Sequence, residues 1–279
     1  MKIKRLIYRG AVRGMEKLFL LRKLNHLYHS NINLLPVTAS ESIDVVTIAY
    51  NNAKVIELHN QYVEKYLKGN VTHIVVDNST NKEESLKIRQ ICEQQGVGYV
   101  RLHKNRMDIF SGSYSHATAV NWIYKHILKP RGAWGFAFID HDIFPVCDVN
   151  IAEILKSQPV YGAQRKRNGM WYLSGIISFF RSDFVLEKGF DFMPVTFNET
   201  YLDTGGGNWV TLYKNLDESK LKFMSNYTVN FKEGDNRHQD QLELFDDEQW
   251  VHTINGSYWK KVSVVKENIM AELLSKYEK

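Results

Sequence analysis

Trp134-Gly-Phe-Ala-Phe-Ile-Asp140-His141-Asp142 is an apolar run that stops on two carboxylates separated by one residue. Aromatic and aliphatic side chains fill 134–139, the composition of a strand buried on both faces. Side chains two positions apart on an extended chain point the same way, so Asp140 and Asp142 are expected on one side. Paired carboxylate oxygens make a hard-donor site for Mg2+ or Mn2+, incomplete alone and finished by the phosphate oxygens of a diphosphate ligand. The other reading of the pair is a solvated turn after a strand.

Upstream of that stretch, short apolar runs alternate with helical ones: Ile43–Ala49, 53–68, Thr72–Asp77, 81–95, Gly98–Leu102 and 113–128. The alternation predicts an α/β fold with a mainly parallel sheet flanked by helices. Ligands of such sheets bind beyond the carboxyl ends of the strands. Attention therefore falls on Tyr50-Asn51-Asn52, Asp77-Asn78, His103-Lys104-Asn105 and Asp140-His141-Asp142. No GxGxxG or GxxxxGK[ST] loop follows the first run, which disfavours dinucleotide and P-loop chemistry.

At 279 residues, with 44% hydrophobic, 24% charged and 13% aromatic residues and 5 prolines, the chain has the makeup of a soluble globular protein rather than a disordered or fibrous one. Cys92 and Cys147 lie far apart without a CxxC pair, which argues against a disulfide framework or a structural zinc site and suits a reducing compartment. No run long enough to span a membrane and no signal-peptide core is present, so a cytoplasmic protein is expected. The sequons at Asn70, Asn78, Asn198, Asn226 and Asn255 are then chance or turn chemistry.

The net charge of +5 is unevenly spread. Lys2, Lys4, Arg5, Arg9, Arg13, Lys17, Arg22 and Lys23 stand against Glu16 alone in residues 1–30, so the basicity belongs to the N-terminus. Leu6, Ile7, Val12, Met15, Leu18, Phe19, Leu20, Leu21, Leu24 and Leu27 interleave with those bases as in an amphipathic helix. Such a helix can lie in the headgroup region of an anionic membrane, giving peripheral contact with its inner face, or can pack on the body with its charges solvated. Nucleic-acid binding is the weaker option, because no aromatic-and-basic module follows. The expected organisation is a basic N-terminal segment (1–42), a ligand-binding half (43–150), and a second half with a C-terminal helix (151–279) in the same domain.

Over roughly 43–190 the sequence resembles the GT-A glycosyltransferases, family-2-like members in particular. Four markers carry the resemblance in order: Ala49-Tyr50-Asn51 closing the first strand, Val75-Val76-Asp77-Asn78-Ser79 closing the second, Ala119-Val120-Asn121 on the third helix, and Asp140-His141-Asp142. The usual Asn-x-Gly before that helix is replaced by Asn105 to Ser113, with Ser111-Gly112-Ser113 in place of a clean glycine turn. The resemblance implies a GT-A, Rossmann-like fold and transfer of a sugar from a nucleoside-diphosphate sugar, UDP-linked by preference, to a hydroxyl of a glycan or lipid-linked acceptor. It implies that Ala49 and Tyr50 flank the nucleobase, that Asp77 hydrogen-bonds the base, that Asn121 belongs to the nucleotide site, that Asp140 touches ribose or metal, and that Asp142 binds Mn2+ or Mg2+. A cell-surface polysaccharide built at the inner face of a bacterial membrane would suit such an enzyme.

Beyond Pro145 the pattern is less regular. Arg165-Lys-Arg-Asn-Gly-Met-Trp171-Tyr172 is basic and then aromatic; Trp171 and Tyr172 can stack on acceptor sugars, as can Trp209 further on. Glu199-Thr-Tyr-Leu-Asp203-Thr-Gly-Gly-Gly-Asn208-Trp209 places a carboxylate before a glycine run. An inverting transfer needs a base for the acceptor hydroxyl, and Asp203 is the first candidate, followed by Glu199 and Asp183. In His252-Thr-Ile-Asn-Gly256-Ser-Tyr-Trp-Lys260-Lys261, the imidazole can be a third metal ligand while Gly256, Lys260 and Lys261 meet the diphosphate. The segment resembles the His–Gly–Lys element of glycogenin-like transferases, with His-to-Gly spacing one residue longer and no Lys-Pro-Trp. Residues 266–279 read as a closing amphipathic helix.

Two other function classes fit parts of the pattern. One is a carbohydrate- or membrane-binding module without turnover. The other is a HAD-type phosphatase, in which DxD sits on the first strand with Thr or Val two positions after the second Asp; here several strands precede the motif and Phe144 holds that position.

Overall fold

β1 (Ile43–Ala49) is buried at every position, the environment its run of aliphatic residues requires. In the computed structural model, which describes residues 2–23, 30–32, 41–230, 241–254, 256 and 264–279, β1 pairs in parallel with β2 (Val71–Asp77) on one edge and with β4 (Gly135–Ile139) on the other. β3 (Gly98–Arg101) extends the sheet beyond β2, again in parallel. β7 (Met170–Arg181) runs antiparallel to β4, and β6 (Val160–Arg167) antiparallel to β7, for a six-stranded order β3-β2-β1-β4-β7-β6. Residues 43–150 and 151–279 therefore meet inside one sheet, where β4 bonds to β7.

Local chemistry starts the helices where the sequence places them. Asn52 caps α2 (Ala53–Tyr66) by accepting from the Val55 N–H, and Asn81 caps α3 (Lys82–Gln94) by accepting from the Glu83 and Glu84 N–H groups. Ser111 caps α4 (Gly112–Ile123), which runs on through a π turn (Tyr124–Leu128) into α5 (Lys129–Arg131) and ends at Gly132 in the left-handed region, φ 66°. Ala53 and Ile56 of α2 join Ile88 and Cys92 of α3 on one face of the sheet. Ala117, Val120 and Ile123 of α4 cover the other face against Val46, Ile48 and Val76.

The chain winds outward from β1 to β2 to β3, and α4 then carries it back to β4 on the opposite side of β1. Between β1 and β4 the order reverses, and such a reversal opens a crevice at the carboxyl ends of the two strands.

A second, antiparallel sheet is built from β5 (Ile143–Pro145), β12 (Trp250–His252), β11 (Gln241–Phe245) and β10 (Asn226–Asn230). It packs on α2 and on α8 (Val264–Ser275), the closing helix, through Tyr62, Phe144, Val251, Met270 and Leu274. α6 (Ile151–Ser157) and α7 (Ser182–Leu186) flank the large sheet, and β8 (Val195–Phe197) with β9 (Thr200–Leu202) forms a separate hairpin.

The N-terminal segment is helical as expected, with α1 spanning Lys2–Leu20. Val12, Glu16 and Phe19 are buried against the body. Glu16 accepts from Asn121 Nδ2 at 2.8 Å and from Arg13 Nη1 at 2.8 Å, while Arg13 Nη2 reaches Asp191 Oδ2 at 2.9 Å. No helix among the described residues is long and apolar enough to cross a membrane.

Candidate active site

The carboxyl end of β4 is fixed from three directions. The Asp140 N–H donates to the Ile176 carbonyl at 2.7 Å, and His141 Nδ1 donates to the Ile48 carbonyl of β1 at 2.9 Å. The chain then enters β5, whose pairing sets Ile143 opposite His252 of β12. The Thr253 N–H and hydroxyl both donate to the Asp142 carbonyl, at 2.8 and 3.1 Å. This register brings His252 Nε2 to 3.6 Å from Asp142 Oδ2, and the Gly256 N–H donates to the same oxygen at 2.7 Å. On its far side His252 Nδ1 lies 3.1 Å from Glu243 Oε2.

Burial, reinforced by the Asp142 charge, pushes the Asp140 carboxyl up to about 8. Burial also works to raise Asp142, but His252 and the Gly256 N–H outweigh it and hold that carboxyl well below the usual range. His252 is pushed up to about 9: burial pulls it down, and Asp142 and Glu243 more than compensate. The site thus holds one firmly ionised acid beside one that is reluctant to ionise. His116 on α4 joins them. Its Nε2 is buried without a hydrogen-bond partner, 3.5 Å from Asp140 Oδ1, and burial lowers the ring to about 4, so it is neutral.

These groups open into a cavity of about 730 Å3 at the β1/β4 reversal, a size suited to a nucleotide-scale ligand. Ile48 and Tyr50 line it from β1, Asn78 from the end of β2, and Ser113 and His116 from the start of α4. Arg165 and Arg167 of β6, Tyr172 of β7, and Asp203 and Thr204 complete the wall. The Asp203 N–H donates to the Tyr172 hydroxyl at 3.1 Å, and the Tyr201 hydroxyl donates to Asp203 Oδ1 at 3.3 Å.

Of the residues singled out in the sequence, Tyr50, Asp140, Asp142, Tyr172, Asp203, His252 and Gly256 line this cavity together. Others sit elsewhere, each for a visible reason. Asp77 is fully buried, accepting from the Ser79 N–H at 2.9 Å, the Ser85 hydroxyl at 2.5 Å and the Tyr99 hydroxyl at 2.9 Å, with Arg101 at 3.2 Å, so its carboxylate is engaged within the protein. Ala49 is buried against Ala53 and Ile56. Asn121 spends its amide on Glu16 and on the Phe192 N–H, holding α1 rather than facing the cavity. Trp171 is 2% exposed and stacks on Tyr213, centroids 4.6 Å apart, which makes it a core residue. Trp209 packs half-buried on the same core. Glu199 occupies the left-handed turn between β8 and β9, φ 64°, away from the cavity wall. The Gly256 N–H is directed at Asp142. Lys260 and Lys261 lie outside the described residues. His116 escaped the sequence reading because one histidine in a polar helical stretch carries no pattern; only its place on the first turns of α4, beside the strand ends, could have flagged it.

Among the described residues, no group of three or more His, Cys, Asp or Glu side chains converges as a ready-made metal cage. The donor set nevertheless fits a divalent cation that takes part of its coordination from a ligand. Two hard carboxylates share one crevice, with an imidazole 3.6 Å from Asp142 Oδ2.

No family model and no curated protein matches the chain. Solved structures do resemble it. They include a mannosyltransferase from Pyrobaculum calidifontis in complex with GDP-Man and Mn2+, at 14% identity and a TM-score of 0.40, with 66% of this chain and 57% of that one covered. The S. aureus protein TarS is similar at 16% identity and a TM-score of 0.37, covering 54% and 30%. Glucosyl-3-phosphoglycerate synthase from Mycobacterium tuberculosis, solved with Mn2+, UDP and glucosyl-3-phosphoglycerate, is similar at 14% identity and a TM-score of 0.34, covering 56% and 60%. In each case the match spans less than two thirds of the other chain. This chain's own architecture is a mainly parallel sheet covered by helices, with a strand-order reversal at β1/β4 and Asp140 and Asp142 just beyond the end of β4.

Proposed function

We propose that the chain is a divalent-metal-dependent glycosyltransferase that moves a sugar from a nucleoside-diphosphate sugar, UDP-linked by preference, to a hydroxyl of a glycan or lipid-linked acceptor. The observation that carries this reading is the position of Asp140 and Asp142, side by side where β4 ends at the strand-order reversal, in a cavity of about 730 Å3.

In this reading Asp140, Asp142 and His252 would hold Mn2+ or Mg2+, which when bound supplies positive charge to the departing diphosphate. Tyr50, at the end of β1, borders the nucleoside. Gly256 positions Asp142 through its N–H. Arg165 and Arg167, the cavity's lysine or arginine side chains among the described residues, offset phosphate charge directly. Asp203 lines the same cavity without belonging to the Asp140–Asp142–His252 group. It takes the proton of the acceptor hydroxyl as that oxygen bonds the anomeric carbon and the bond to the diphosphate oxygen breaks.

Calorimetric titration with UDP tests the site. Wild-type protein is expected to bind UDP in the presence of Mn2+ and to lose that binding with chelator or on Asp142→Ala. Metal-independent binding that survives Asp142→Ala would overturn the reading. Screening nucleotide sugars for metal-dependent hydrolysis then identifies the donor.

A further inference from the structure

α1 has two faces, and the fold uses only one. Val12, Glu16 and Phe19 dock on the body. Yet the four most exposed large hydrophobic side chains among the described residues, Leu6 (71%), Ile7 (67%), Leu18 (68%) and Leu21 (71%), all belong to α1 or the residue after it. At about 100° per residue, Ile7, Leu18 and Leu21 fall within about 60° of one another, roughly opposite the docked face. Lys4 and Lys17, both exposed, border this stripe on its two sides, and Arg9, Arg22 and Lys23 are exposed nearby. The helix's one acid, Glu16, is turned inward and paired with Arg13.

From this we infer that α1 is a docking face for an anionic lipid surface. On this face Ile7 stands toward one end and Leu18 with Leu21 at the other, with Gly10 and Gly14 between them, so no side chain of the stripe is polar. Single exposed leucines are ordinary, whereas several large aliphatic side chains left in water on one helix face are not. Bases along both margins with no acid among them match a surface of anionic headgroups, each base near such a surface contributing about 1 kcal/mol. The inward face is anchored by Arg13–Asp191 and by Asn121–Glu16, so the outward face is held in a fixed orientation on the body.

That orientation bears on the cavity. Tyr8 of α1 packs on Phe110 and Tyr114, ring centroids 5.3 and 6.3 Å away, and the neighbouring Gly112 and Ser113 line the cavity. Docking through α1 therefore sets the cavity beside the lipid surface. Its consequence, presentation of a lipid-linked acceptor, rests on the proposed transferase activity; the docking itself does not.

Flotation of the full chain with vesicles tests docking separately from catalysis. Binding to vesicles of phosphatidylcholine with about a third phosphatidylglycerol is expected, at least tenfold weaker on pure phosphatidylcholine and weaker again in about 1 M salt, where the Debye length falls to about 3 Å. Leu18→Glu/Leu21→Glu is expected to reduce vesicle binding at least tenfold while UDP binding in solution is unchanged. Leu86→Glu, 58% exposed on α3, serves as the control and is expected to bind vesicles as the wild type does. Vesicle binding that ignores lipid charge, or that survives Leu18→Glu/Leu21→Glu, overturns the inference. So does a wild-type dimer that the double substitution makes monomeric without any vesicle binding, since the covering partner is then a second copy. Loss of UDP binding in the wild type would count against the transferase reading alone.

Discussion

The Gly256 N–H donates to Asp142 Oδ2 at 2.7 Å across 114 positions of sequence. The contact is close because position 256 has no side chain: a Cβ there would stand 2.5 Å from Asp142 Cβ and 3.1 Å from its Cγ. Neither atom can yield without moving the carboxylate. Gly256→Ala is therefore expected to weaken Mn2+-dependent UDP binding at least about tenfold, a cost of about 1.4 kcal/mol, while the far-ultraviolet spectrum stays native. Gly14→Ala, whose Cβ would meet nothing within 4 Å, should bind as the wild type does. Unchanged affinity in Gly256→Ala would remove the glycine from the site's design.

Metal-free protein should lose stability as pH rises from about 6.5 to about 9. His252, raised to about 9 in the fold, contributes stability that is complete below its unfolded pKa of about 6.5 and is lost as pH climbs through the folded value. Asp140, raised to about 8 by burial and by Asp142, acts in the same direction. Asp142 acts in the opposite sense, since its depressed carboxyl is lost only under acid conditions, below the window. Each proton released on this limb contributes at most about 1.4 kcal/mol per pH unit. Urea unfolding with chelator present reads the slope, and His252→Gln should flatten it. A wild-type profile already flat across the window would mean that the Asp142–His252–Glu243 chain does not form.

What the sequence made legible follows from what each reading depended on. β1 to β4 were readable because buried parallel strands are written as unbroken apolar runs, and α2 to α4 because longer stretches of mixed polarity separate those runs. Asp140 and Asp142 were readable for the same local reason, ending such a run two positions apart. Asp77 misled because a strand-end acid looks alike whether it faces a ligand or, as here, Ser85, Tyr99 and Arg101. Trp171 misled because β7 is covered on both faces, so an aromatic after a basic stretch packs inward on Tyr213. Asn121 answers to Glu16 of a helix far upstream, a pairing that no local pattern encodes.

Asp203 and Asp142 should fail in different ways. Asp203→Asn keeps the shape and the hydrogen bond from Tyr201 but cannot accept a proton, so turnover should fall by about 10²- to 10⁴-fold with UDP affinity retained. Asp142→Ala should lose donor binding and turnover together. Glu199→Gln, at the exposed β8–β9 turn, should change neither. Single-turnover kinetics alongside titration separates these patterns, and full activity in Asp203→Asn would move the base role to another group.

Stability at the opposite end of β1 should be separable from the site. Arg131 grips Asp44 through two bonds, Nε to Oδ2 at 2.8 Å and Nη2 to Oδ1 at 3.0 Å, with side-chain exposures of 8% and 1%. Burial raises the Asp44 carboxyl even against the downward pull of Arg131. Arg131→Met would leave that acid buried without its partner, and breaking such a pair typically costs about 3–5 kcal/mol. With Arg131 gone, the burial that raises the carboxyl acts unopposed and disfavours its charged form, so the deficit should shrink as pH falls from neutral and Asp44 takes up a proton. Denaturant midpoints at neutral and mildly acidic pH measure the deficit, and UDP affinity in the folded variant should match wild type. A deficit that grows on acidification would contradict the sign argued for Asp44.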